Sequence, residues 1–187
     1  MGYGVMAYSV DIDKLVALCG SGDDRMRRVI SGKSRESIYR SNDELGWSNE
    51  RGEPSIFMAI NHLVLGEEMT LPGVMYGYAF KYIVEFSGRF LDNGPFYPCS
   101  SDYLSDTVDA ELARVGATVR MNDLVFGGAP VAFPSPDDFP LIGYWSAEQV
   151  AESAEPVRSG TSEELKTIAT WLDHAAPQGR GVIGFYH

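Results

Sequence analysis

Three short apolar-aromatic segments lie far apart in this chain, and their separation constrains the fold more than any other feature. Tyr3 to Val10 alternates loosely between apolar and small residues, Leu141-Ile142-Gly143-Tyr144-Trp145 is almost continuously apolar, and a third such run covers Gly181 to Tyr186. Each has the length and the aromatic or β-branched content of a strand. The segments between them read as helices and turns. Helix and strand do not alternate regularly enough for a doubly wound parallel sheet. The expected architecture is therefore α+β, a helix-rich single domain over 1–187 with helices packed on a small sheet of about three short strands.

The helices announce themselves by periodicity and by their ends. Asp11 offers a side-chain cap to a helix reaching about Cys19, closed by Gly20. A second short helix follows Ser21-Gly22-Asp23-Asp24, with the aspartates at its positive end. Ile56, Phe57, Ile60, Leu63 and Val64 repeat at helical spacing up to Gly66. Met75, Tyr78, Ala79, Tyr82, Ile83, Phe86 and Phe90 continue as one long apolar stripe. A further helix is expected from about Asp102 to Val115, with Leu104, Val108, Leu112 and Val115 on one face. Ser146-x-x-Gln149 and Thr161-x-x-Glu164 read as capping boxes, the second opening a helix to about Ala175. The polar stretch from Lys33 to Pro54 is the least regular and is expected to be mobile or partner-facing. Pro130 to Pro140 is expected to be a surface loop.

Charge narrows the function classes. Fifteen Lys and Arg stand against 26 Asp and Glu in 187 residues, a net charge of −11. Nucleic acid and anionic membranes both call for a net basic face, so neither is an expected partner. No apolar run approaches the ~20 residues of a membrane span, and no signal peptide is apparent, so a cytoplasmic protein is expected. Cys19 and Cys99 are then expected as reduced, structural thiols, with a single disulfide as the alternative.

Chemical constellations are sparse. His62, His174 and His187 have neither helical nor knuckle spacing, and no metal or other cofactor is expected. No nucleophile elbow or P-loop is present. The acidic pairs Asp23/Asp24, Glu67/Glu68, Asp137/Asp138 and Glu163/Glu164 are sequence neighbours, which diverge by about 100° on a helix and cannot share acid–base work. Arg25, Arg27, Arg28, Lys33, Arg35 and Arg40 form a basic patch, read as a solvated face with internal i,i+4 pairs. The most binding-like group is Asp137, Asp138 and Phe139 with Tyr144 and Trp145 close by in sequence. Carboxylates beside aromatics on a proline-stiffened loop cost little entropy to order on a partner. The plainer reading is a connecting loop whose Phe139 and Trp145 enter the core.

Gly127-Gly128-Ala129-Pro130-Val131, followed by Gly143-Tyr144-Trp145-Ser146-Ala147-Glu148-Gln149-Val150, resembles the C-terminal half of the YfbM-like family of small bacterial proteins. The opening aromatic strand with its acidic-capped helix is similar as well. So is Ala59-Ile60-Asn61-His62-Leu63-Val64-Leu65-Gly66, although that family tends to carry its histidine where this chain has Asn61. The resemblance implies a single-domain cytoplasmic α+β fold and an association with toxin–immunity gene clusters. The leading expectation is a non-enzymatic binding protein, an immunity or antitoxin-type inhibitor of a basic toxin domain, with Asp137, Asp138, Phe139, Tyr144 and Trp145 as its contact residues. The alternative is a small enzyme assembled around His62, Tyr76 and Tyr78, since buried His and Tyr can act as acid and base.

Overall fold

The segments that the sequence marks as strands join in one antiparallel sheet, together with a fourth that it does not mark. A computed structural model, which describes residues 3–48 and 52–187, contains β1 (Val5–Val10), β2 (Arg89–Leu91), β3 (Leu141–Trp145) and β4 (Gly181–Tyr186). Their order is β2-β1-β4-β3 with every pairing antiparallel. The sheet thus has four strands where about three are expected. Phe90 continues the apolar stripe of the preceding helix in sequence, but that helix stops at Ser87. Phe90 instead lies opposite Tyr8 with ring centroids 5.5 Å apart. A strand of this length has too little periodicity to betray itself, and its pairing with distant β1 decides its state.

Cα-contact density divides the chain into two compact units, one of residues 1–12, 88–130 and 141–187, the other of residues 13–87 and 131–140. The first contains the sheet. Its helices are α8 (Met121–Phe126), α9 (Ala147–Arg158) and α10 (Glu163–Ala175). Between β2 and α8 the chain forms α6 (Ser101–Tyr103), a π-helical turn over Leu104–Val108, and α7 (Asp109–Arg114). Leu104, Val108 and Leu112 are buried as their spacing predicts, while Val115 is half-buried. The capping box at Ser146 and Gln149 is present, each side chain bonding the other's backbone N–H. At α10 the cap is Ser162, one residue after the expected Thr161, and its hydroxyl accepts from the Leu165 N–H.

A glycine pair sets how closely α8 approaches the sheet. Gly143 and Gly184 are cross-strand partners on β3 and β4. A Cβ at Gly143 would collide with the Asp123 carbonyl and come within 2.5 Å of the Leu124 carbonyl carbon, and one at Gly184 would lie 2.5 Å from the Leu124 oxygen. Both residues must lack a side chain for helix backbone to rest directly on strand backbone. Around this contact, buried polar groups close gaps. Ser153 of α9 accepts from the Thr118 and Val119 N–H groups at 2.9 and 3.1 Å and also bonds the Thr118 hydroxyl. The Trp171 indole donates to the Asp92 carbonyl at 2.6 Å.

The second unit is helical: α1 (Ile12–Leu18, whose first residue falls in the sheet unit), α2 (Asp24–Lys33), α3 (Arg35–Leu45), α4 (Ser55–Leu65) and α5 (Gly73–Ser87). Gly66 ends α4 in a left-handed conformation, where a side chain would be strained. The expectation of an irregular segment over Lys33 to Pro54 is corrected by α3, although residues 49–51 lie outside the described residues. Ile38 is fully buried, and the Tyr82 hydroxyl of α5 bonds the Ser37 carbonyl and the Ser41 hydroxyl at 3.1 and 2.8 Å. Tertiary anchoring stabilises a helix whose sequence alone is too polar to suggest one. No described helix is long and apolar enough to cross a membrane.

Candidate functional site

The loop over 131–140 lies along α5 because that helix carries glycine where they meet. A Cβ on Gly73 would overlap the Ser135 carbonyl, and one on Gly77 would lie 2.8 Å from Pro136 Cγ and 3.2 Å from Pro140 Cδ. Phe133 turns inward, its ring 5.4 Å from that of Phe80 and 6.5 Å from that of Tyr76. Pro140 is buried, Phe139 half-buried, and Asp137 and Asp138 are exposed. The loop is thus anchored at both ends by apolar contacts and presents two adjacent carboxylates to water.

Tyr144 and Trp145 lie on β3 of the sheet unit, where adjacent side chains project to opposite faces. Tyr144 is half-buried. Trp145 is 0% exposed, its indole donates to the Arg120 carbonyl at 2.7 Å, and its ring lies 6.4 Å from that of Trp171. This corrects the expectation of a contact surface at Trp145. The residue is core, and its hydrogen-bond partner is remote in sequence, where composition gives no hint of it.

His62 and Tyr76 do meet. The His62 Nδ1 and the Tyr76 hydroxyl are 2.8 Å apart, and that hydroxyl also accepts from the Leu71 N–H at 3.0 Å. The hydroxyl therefore bridges the imidazole ring and the backbone ahead of α5. His62 is 6% and Tyr76 0% exposed, so the pair faces the interior of the helical unit. Tyr78 is not part of it. Residues two apart on a helix diverge by about 200°, and the Tyr78 ring lies 5.4 Å from that of Trp47.

The basic patch divides into separate environments. Arg27 and Arg28 share the Asp24 carboxylate at 2.6 and 3.2 Å. The Arg27 hydrogen bond first, and the charge of Arg28, hold that carboxyl below its usual range. Lys33 sits over the Phe86 ring and Arg35 over the Tyr39 ring, each at 5.5 Å. Beside these arginines, Ser31 Oγ and Asn61 Oδ1 are shut from solvent with no hydrogen-bond partner among the described residues. Sequence reasoning missed both, because a lone Ser and a lone Asn carry no pattern. Cys19 and Cys99 are free thiols. Burial pushes the Cys19 thiol up to about 11 and raises that of Cys99 as well. Among the described residues no three His, Cys, Asp or Glu side chains gather as a metal site would require.

No curated protein and no solved structure matches this chain. A model for one family does, over its whole length. The chain belongs to the family described as a domain of unknown function, DUF7691, whose model matches residues 1–187.

Proposed function

We propose that this chain is a non-enzymatic binding protein of the immunity or antitoxin kind, which acts in a bacterial cytoplasm by covering a basic toxin domain. The observation that carries the reading is the anchored loop over 131–140, with Asp137 and Asp138 exposed on it and α5 glycines seating it. A loop already held in place has little ordering entropy left to lose on binding. The net charge of −11 adds long-range attraction for a cationic partner, which raises encounter rates and orients the approach. The resemblance to the YfbM-like proteins points the same way. An enzyme built on His62, Tyr76 and Tyr78 has less support, since the first two are buried and hydrogen-bonded to each other and the third faces elsewhere.

The test combines capture and kinetics. Tagged protein recovered from its native host at near-physiological salt should carry one stoichiometric basic partner that leaves at higher salt. Association of the purified pair should slow about tenfold for the Asp137→Lys, Asp138→Lys double variant, with the dissociation rate little changed. Unchanged association would remove the loop from the interface, and recovery of no partner would count against the immunity reading as a whole.

A further inference from the structure

A second site lies on the helical unit, in an open cleft of about 380 Å³ formed where α2, α3 and α4 adjoin. That volume suits a small ligand. Arg27, Arg28 and Arg35 line the cleft, so a protein of net charge −11 concentrates guanidinium groups at one place. Asp24 neutralises part of the charge of Arg27 and Arg28, and Glu53 also contributes to the lining. Arg35 differs, having no carboxylate partner among the described residues and resting on the Tyr39 ring at 5.5 Å. Tyr39 meets Phe57 edge to face, with centroids 5.7 Å apart, so a guanidinium and two aromatic rings form a row along one wall.

Two polar side chains of the remaining wall each keep an unpaired oxygen. Ser31 and Asn61 line the same cleft, and these are the residues whose side-chain oxygens are buried without a hydrogen-bond partner among the described residues. A buried polar atom left unpaired costs about 1–3 kcal/mol, and a bound group recovers that cost once the half-buried Ser31 or Asn61 side chain turns towards the cleft to pair with it. Fork-shaped guanidinium donors match the oxygens of a phosphate, and aromatic faces take a planar ring. We propose that the cleft binds a phosphate monoester carrying a planar group, of nucleoside monophosphate size. Arg35, supported by Arg27 and Arg28, takes the phosphate, the ring lies against Tyr39 and Phe57, and Asn61 and Ser31 bond its polar edge. A single phosphate on a small molecule makes a smaller electrostatic demand than a nucleic acid, whose many charges the acidic surface repels.

Titration calorimetry on the full chain tests this, with adenosine 5′-monophosphate, phenyl phosphate, adenosine, inorganic phosphate and benzoate as probes. The two monoesters should bind, and adenosine, inorganic phosphate and benzoate should each bind at least tenfold more weakly, a difference of about 1.4 kcal/mol. Arg35→Ala should weaken both monoesters about tenfold, and Asn61→Ala should weaken adenosine 5′-monophosphate about tenfold but not phenyl phosphate, whose ring has no polar edge, with circular dichroism unchanged. Arg40→Ala, on α3 but outside the cleft, should leave binding as it is. No binding of either monoester at millimolar concentration would overturn the proposal. So would adenosine or benzoate binding as tightly as the monoesters, or an equal loss from Arg40→Ala.

Discussion

Both units pair most of their buried polar groups, and they differ in what lies beside the ones left unpaired. In the sheet unit, polar side chains mostly complete the fold. Ser153 satisfies the 118–119 backbone, Asp109 accepts from the Met121 and Asn122 N–H groups at the start of α8, and the Trp145 and Trp171 indoles each find a carbonyl. Ser9 Oγ on β1 departs from this, lacking a hydrogen-bond partner among the described residues. In the helical unit, Ser31 and Asn61 keep unpaired oxygens at the wall of a cleft, and the 131–140 loop holds two carboxylates in water. Unpaired polar groups and exposed like charges both oppose folding, and in the helical unit they lie at a cleft wall and on an exposed loop, the two places proposed above for binding.

The sharpest way to break this comparison is at the glycine pair of the sheet unit. Gly143→Val should cost about 4 kcal/mol or more, because the new side chain has to displace the α8 backbone. Thermal melting followed by circular dichroism reads the loss, and a variant melting near the parent would show that α8 is not seated as described. Ser153→Ala comes next. It strands the Thr118 and Val119 N–H groups, for an expected loss of about 2–4 kcal/mol in urea unfolding. In the helical unit, Asp137→Lys with Asp138→Lys should leave stability within about 0.5 kcal/mol of the parent, since both side chains are exposed. A larger change would make that loop part of the structural core and remove the contrast.

The smallest effect concerns Cys19. Burial raises its thiol from 9.0 to about 11, so at pH 8 the folded protein holds about 100-fold less thiolate there than an exposed cysteine would. Alkylation by iodoacetamide should be slow by that factor and become rapid on unfolding. The linked stability has a definite sign. A folded value above the unfolded one favours the neutral thiol, so the contribution is complete below about pH 9 and is lost as pH rises towards about 11. A stability that stayed level across that window would show the Cys19 site to be wetter than its surroundings imply.

Much of the framework could be read from the chain because it rests on local signals. The Leu141–Trp145 and Gly181–Tyr186 strands, the capping box at Ser146 and the stop at Gly66 follow from side-chain periodicity and from the few residue types that satisfy helix ends. The loop over 130–140 with its exposed aspartates was legible for the same reason, since closely spaced prolines exclude regular structure. Features that depend on a distant partner were not. Strand β2 exists because β1 is beside it, α3 because Tyr82 and a pocket for Ile38 hold it, and Trp145 is buried because the Arg120 carbonyl is within reach. The cleft that gathers Arg35, Tyr39, Asn61 and Ser31 draws on three helices, and none of the four belongs to a motif. The sequence by itself determined the α+β class, the charge and most element ends, because these are sums or short-range patterns. Only the tertiary structure decided which polar atoms were paired and which were left for a ligand, because pairing is a matter of distance in space.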